Sequence, residues 1–300
     1  MLDVLVWMWH DPHLQGSRGT RNIGPVIVPQ VRYDLQISGR RAKMLLAAGK
    51  TLPPPPKPVL PRGAPSPPRF FQAKHVNRLC ELFKAHLPIP HRFVCITDDT
   101  EGFSEHVTVI QTPPAALAAG KIRSPEGNRF PSCYRRLWAQ SDEAKEYLSE
   151  RVLLGDIDMV PVNDLTPIVD RSEPFVGWRP FRDWGKQTRI GGGLYLYTPG
   201  AHAKVWTDFI KNPHAAVAQA RAAGFRGSDQ AWLSFKLADK VPVWSRQSGL
   251  YSIRDLGADH GLPKDARLVQ FNGPIKPWDY RGPASWISQH WRGFAPTAKR

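Results

Sequence analysis

Residues 151–165, RVLLGDIDMVPVNDL, hold the stretch on which the fold turns. Val152, Leu153 and Leu154 make an apolar run that Gly155 bounds, too short for a helix and of the length of a buried strand. Asp156 and Asp158 then flank Ile157. Alternate residues of a strand share a face, so a strand continued through Ile157 puts both aspartates on one side. Two carboxylates so close resist ionising together unless a cation lies between them. A hard divalent ion, Mg2+ or Mn2+, takes carboxylate oxygens first and phosphate oxygens afterwards. The plainer reading is an aspartate capping the next turn, and an Asp-x-Asp pattern alone is a weak signal.

Working outward, the pattern alternates. Residues 70–87, FFQAKHVNRLCELFKAHL, have apolar residues at helical spacing, and 91–99, HRFVCITDD, form a strand ending in polar residues. HVTVIQ (106–111) is a second strand, and YRRLWAQSDEAKEYLSE (134–150) has the spacing of a helix leading into the 152–154 strand. Strands are predicted at PFVGW (174–178), GGLYLYTP (192–199), VPVWS (241–245) and ARLVQFNG (266–273). Helices are predicted at 201–212 and 228–240. Strands alternating with helices predict an α/β fold with a mainly parallel central sheet and helices on both faces. Ligands of such sheets bind beyond the carboxyl ends of the strands, where Thr97–Asp99, Asp156–Asp158 and Gln270–Gly273 are expected.

The chain has 300 residues, 41 Lys and Arg against 26 Asp and Glu, and a formal charge of +15. Its 41% hydrophobic content and eleven tryptophans are those of a folded protein with an ample core. Such charge favours anionic partners: nucleotides, nucleic acid, anionic lipid or acidic glycans. It is concentrated in residues 11–69, where ten Lys and Arg face only Asp11 and Asp34. That segment ends in LPPPPKPVLPRGAPSPP (52–68), which can form neither a helix nor a central strand. It reads as a basic, proline-rich insertion after the first strand, with polyproline character and a spacer role. A C-terminal tail starts near 281. Cys80, Cys95 and Cys133 have no metal-ligand or disulfide spacing and suit a reducing compartment. The opening MLDVLVWMWHD is a strand, not a leader, and no run approaches the roughly 20 apolar residues of a membrane span. The expectation is therefore a cytoplasmic protein, with peripheral contact to an anionic membrane surface through the insertion.

Several ordered segments resemble the metal-dependent glycosyltransferases of the GT-A fold, close in pattern to glycosyltransferase family 8. VLLGDIDMVPVNDLTPI is similar to that family's Asp-x-Asp strand, IGGGLYLYTPG (190–200) to its donor-pocket segment, and GSDQAWLS (227–234) to its Asp-Gln helix start. VQFNGPIKPWD (269–279) resembles its C-terminal His-Phe-x-Gly-x-x-Lys-Pro-Trp signature. The resemblance covers roughly residues 2–10 and 70–280 and has no counterpart for 11–69. It implies a GT-A, Rossmann-like single catalytic domain that moves a hexose from a nucleoside diphosphate sugar, a UDP-sugar, to a glycan, lipid or protein acceptor, with retention at the anomeric carbon and Mn2+ or Mg2+ as cofactor.

The same resemblance assigns roles. Asp156, Asp158 and Gln270 fall at the metal positions. Thr97, Asp98, Arg136, Asp156, Gly192, Gly193, Gly273 and Lys276 fall at nucleotide-sugar positions, with Lys276 as a point charge on the leaving diphosphate. Asp229 and Gln230 fall at the catalytic pair under the sugar ring. Gln270 stands where the family has histidine, and its amide oxygen is a weaker ligand for Mn2+ than imidazole. GGG stands where the family has an asparagine-bearing segment.

Bland roles compete for the same residues: a helix cap for Asp229 after Ser228, a solvated helix face for Arg135 or Arg136, plain packing for Trp278. Rival functions are also open. A phosphatase of the haloacid dehalogenase type has Asp-x-Asp after an apolar strand, but needs it near the start of the domain and a later acidic pair. A nucleic-acid-binding protein would use the basic segment, yet no recognised nucleic-acid-binding motif is present. A degenerate transferase that binds a nucleotide sugar without turning it over is the third alternative.

Overall fold

In the computed structural model Leu2–Met8 is the first strand, β1, and its seven residues are all buried. The structure describes residues 1–9, 71–122, 133–179, 189–256, 261–272, 276–280 and 285–292. The expected insertion at 11–69 and Gly273 lie outside the described residues.

Side chains of β1 alternate between two cores. Val4, Val6 and Met8 join one cluster, Leu5 and Trp7 the other. Alternation into two apolar layers is what a strand covered on both faces requires. The first layer is built on helix α1 (Ala73–His86), which buries Val76, Leu79, Leu82 and Phe83. A capping box at its start, in which Gln72 and His75 satisfy each other's backbone, replaces the usual Ser or Asp cap. The opposite layer holds α2 (Pro114–Gly120) and, later in the chain, α4 (Lys204–Lys211), α5 (Pro213–Ala222) and α6 (Asp229–Leu237).

The large sheet has the order β3-β2-β1-β4-β7-β6. Here β2 is His91–Thr97, β3 Val107–Gln111, β4 Arg151–Gly155, β6 Phe175–Gly177 and β7 Leu194–Tyr197. The β3–β2, β2–β1 and β1–β4 pairs are parallel, and β7 runs antiparallel to both β4 and β6. The sheet is thus mainly parallel with helices on both faces, as the strand–helix alternation implies. A small second sheet has the order β5-β9-β8, with β5 Met159–Pro161, β8 Leu250–Ser252 and β9 Leu268–Gln270. Between β5 and β6 lies the short helix α3 (Thr166–Val169), and α7 (Trp286–Arg292) packs Ile287 and Trp291 into the first core.

Asp3, the second residue of β1, is fully buried and yet satisfied. Arg92 donates to both of its oxygens at 2.9 and 2.6 Å, and Ser149 adds its backbone N–H and hydroxyl at 2.8 and 3.0 Å. A buried carboxylate survives only with such a complete set of partners.

Three expectations need correction. Residues 134–150 are not an α-helix but two 3-10 helices, Tyr134–Gln140 and Glu143–Glu146. All seven residues of the first are buried, so tertiary packing on every side overrides a surface-helix pattern. Ser141 adopts an extended conformation between the two, and its hydroxyl accepts from the Ala144 N–H to start the second. The β4 strand stops at Gly155, and Asp156–Asp158 form the turn into β5. At 241–245 there is no strand, only a bridge between Val243 and Gly177 flanked by hydrogen bonds from Gly177 N to Pro242 O and from Trp244 N to Gly177 O, each 2.9 Å.

Candidate active site

The ends of β1, β2 and β4 lie side by side, because Met8 pairs with Thr97 and Val6 with Gly155. Trp9, Asp98 and Asp156 therefore leave the sheet along one rim. The small sheet meets this rim through register: Met159 faces Gln270, and the Phe271 N–H donates to the Asp158 carbonyl at 2.8 Å. Ile157, packed in the first core, fixes the turn between the two aspartates.

Asp156 accepts from two directions. Arg136 Nη1 lies 2.5 Å from its Oδ1, and Gln270 Nε2 donates to its Oδ2 at 2.8 Å. Arg136 reaches onward to Asp229, with Nε 2.9 Å and Nη2 2.8 Å from the same Oδ2. The remaining Asp229 oxygen accepts from the Ser228 hydroxyl at 3.1 Å. Asp158, the second carboxylate of the turn, is buried against Lys276, whose Nζ also donates to the Phe271 carbonyl at 3.0 Å. Three carboxylates thus face two fixed cations, and the cluster has one net negative charge.

Burial sets the electrostatics. It raises the pKa of Asp158, against the opposing pull of Lys276, and Asp156 nearby raises it further. Burial likewise raises that of Asp229, opposed by Arg136. For Arg136 burial acts to lower the pKa, but Asp229 and Asp156 outweigh it and hold the guanidinium charged. Burial pushes the Cys133 thiol up to about 12, so at neutral pH it is no nucleophile.

The glycines leave no spare room. A Cβ on Gly193 would lie 1.8 Å from Gln270 Nε2 and 2.5 Å from Asp156 Oδ2; one on Gly192 would lie 3.0 Å from both Arg136 Nη2 and Asp229 Oδ2. The Gly193 carbonyl also accepts the Asp156 N–H at 3.0 Å, tying the 191–193 segment to the aspartate turn.

The structure brings Arg136, Asp156, Asp158, Gly192, Gly193, Asp229, Gln270 and Lys276 into one cluster. Thr97 and Asp98 border it. The Thr97 hydroxyl accepts the Asp99 N–H at 3.0 Å, while Asp98 pairs with Arg135 Nη1 at 3.3 Å. Gln230 points elsewhere, with its amide 3.5 Å from the Arg226 carbonyl and lying against Gly227. Neither Arg135 nor Arg136 is a solvated helix face; both are buried. Trp9, which no motif marks, follows the end of β1, and its ring lies under the Arg135 guanidinium, 4.7 Å from centroid to Cζ. Trp278 does pack, stacked on His75 at 4.0 Å and 8°.

Hard oxygen donors suit Mg2+ or Mn2+, and Asp156, Asp158 and the Gln270 amide are of that kind. Among the described residues no group of three or more His, Cys, Asp and Glu could hold a metal, and the Gln270 amide is a further side-chain oxygen donor beside the two aspartates. A divalent ion could use this set only with Gln270 turned to present its oxygen and Lys276 Nζ off Asp158 Oδ2.

No protein-family model matches the chain. No curated protein matches it in sequence. Among solved structures it is similar in fold to glycosyltransferases. One is the galactosyltransferase LgtC in complex with donor and acceptor sugar analogs, at 16% identity and a TM-score of 0.49 over 74% of this chain and 91% of that one. Another is the apo form of the glycosyltransferase GlyE of Streptococcus pneumoniae TIGR4, at 13% identity and a TM-score of 0.49 over 73% of this chain and 56% of that one.

Proposed function

We propose that the protein is a GT-A-type glycosyltransferase that moves a hexose from a nucleoside diphosphate sugar, a UDP-sugar, to a hydroxyl acceptor with retention of configuration. The observation that carries the reading is the Asp156–Arg136–Asp229 chain beside Asp158–Lys276, closed by Gly192 and Gly193 at the carboxyl ends of parallel strands. One net negative charge between fixed cations suits a divalent ion together with a diphosphate. A bound Mg2+ or Mn2+, held by Asp156, Asp158 and Gln270, would screen the charge that grows on the departing diphosphate.

The residues of the chain supply the rest. As the anomeric carbon–oxygen bond breaks, negative charge develops on the leaving oxygen, and we assign its stabilisation to Lys276 and Arg136, the two cations of the cluster. Arg136 cannot wander, because Asp156 and Asp229 hold its two ends. Both Asp229 oxygens are engaged, which makes this carboxylate an orienting group for Arg136 and the sugar rather than a free nucleophile. Gly192 and Gly193 let Arg136, Asp156, Asp229 and Gln270 pack against their backbone, which draws the polar side chains of the site together.

A thermal-shift screen of nucleoside diphosphate sugars with and without Mn2+, followed by donor hydrolysis assays, tests the reading. Stabilisation by one donor that depends on Mn2+, with hydrolysis lost in Asp156→Ala, is expected. Binding without turnover would leave a nucleotide-sugar-binding protein, and turnover unaltered in Asp156→Ala would refute the site.

A further inference from the structure

Three N–H donors of the protein occupy the two carboxylates: Arg136 Nη1 is on Asp156 Oδ1, Gln270 Nε2 on Asp156 Oδ2, and Lys276 Nζ on Asp158 Oδ2. The last is a full charge on a full charge, both side chains nearly removed from water. A carboxylate oxygen committed to an ammonium cannot at the same time face a 2+ ion at bonding distance, because the two cations repel. We propose that Lys276 is an internal cation that holds the divalent-ion position while no nucleotide is bound, so that metal entry and release of the lysine are a single exchange.

The proposal rests on the glycosyltransferase reading of this site and deepens it. What moves is a side chain, not a loop. The backbone N–H of Lys276 donates to Asp279 at 2.8 Å, and Trp278, two residues on, is clamped between His75 and Trp291. From that anchored backbone a four-carbon stem can carry the ammonium from Asp158 to an arriving anion. The Phe271 carbonyl, the other partner of Nζ, offers only a partial charge and does not hold the ammonium by itself. The exchange has a chemical logic: a lone cation meets a competitor, whereas a cation arriving with a diphosphate brings the lysine a new counter-charge. Metal alone should therefore bind weakly, and metal with nucleotide much more tightly.

The experiment is Mn2+ binding to the full chain without nucleotide, followed by calorimetry, for the natural protein and for Lys276→Met, which keeps the stem and removes the charge. Lys276→Met is expected to bind Mn2+ at least about tenfold more tightly, since a positive charge next to a ligand has gone. As Lys276→Met leaves Asp158 without its partner and can misfold, a second readout uses the natural protein. Reductive methylation mapped by mass spectrometry should label Lys276 faster once Mn2+ saturates the site without nucleotide, by several-fold relative to Lys145 as an exposed reference, because no diphosphate then takes up the released ammonium.

Binding of Mn2+ to the natural protein with no tightening in Lys276→Met and no change in Lys276 labelling overturns the exchange while leaving the metal site. No Mn2+ binding to either protein overturns the metal site, and the exchange with it.

Discussion

Gln270 and Asp156 lie 114 positions apart in the chain and share a hydrogen bond of 2.8 Å in which the amide donates to the carboxylate. The pair joins the small sheet to the rim of the large one. In an ion-bound site the amide has to turn over, presenting its oxygen instead. Gln270→His is accordingly predicted to bind Mn2+ about tenfold more tightly, because imidazole suits this ion better than an amide oxygen does. Calorimetric titration of Mn2+ into both proteins measures this, and equal affinities would show that residue 270 is not a ligand.

Gly193→Ala should abolish donor binding while the fold persists. The added methyl would meet Gln270 and Asp156 at 1.8 and 2.5 Å, both side chains of the site rather than backbone of the core. Thermal unfolding should move by only a few degrees. Retained nucleotide-sugar binding would mean that the wall at 193 is not part of the pocket.

Arg136→Met removes the one cation between two carboxylates, of which Asp229 is 2% exposed. Breaking a buried pair from one side costs about 3–5 kcal/mol. Urea denaturation should show a loss of that order, and the double variant Arg136→Met, Asp229→Leu should recover part of it. No recovery would mean that the cost lies in packing and not in the stranded charge.

His75 supplies a pH test. Burial lowers its pKa to about 4, from an ordinary value near 6.5, and its Nδ1 accepts the Gln72 N–H at 3.2 Å. The unfolded chain therefore takes up a proton before the folded one does. Stability due to this group is fully present above about pH 6.5 and is lost as the pH falls from there towards 4. His75→Gln should flatten the fall of the melting temperature with acid over this range, relative to the natural protein. Parallel curves for the two would exclude His75 as a contributor.

The sequence alone determined the strand–helix alternation, because period-two and period-3.6 apolar patterns are local and follow from which side chains leave water. The strands at 91–97, 107–111, 151–155, 175–177 and 194–197 and the helix at 73–86 were legible for that reason. Asp156 and Asp158 were marked by their spacing at a strand end, and Lys276, Asp229 and the glycines only by the family resemblance of the segments that carry them. Only the tertiary structure decided the rest. A buried 3-10 winding replaced the expected helix at 134–140, since packing on all sides outweighs local propensity. Gln270, Lys276 and Asp229 met their partners across 93 to 118 residues, and pairing at that separation is fixed by strand register for Gln270 and by the packing of helices and turns on the sheet for the others, not by anything in the local sequence. Which cation faces which carboxylate follows from that packing.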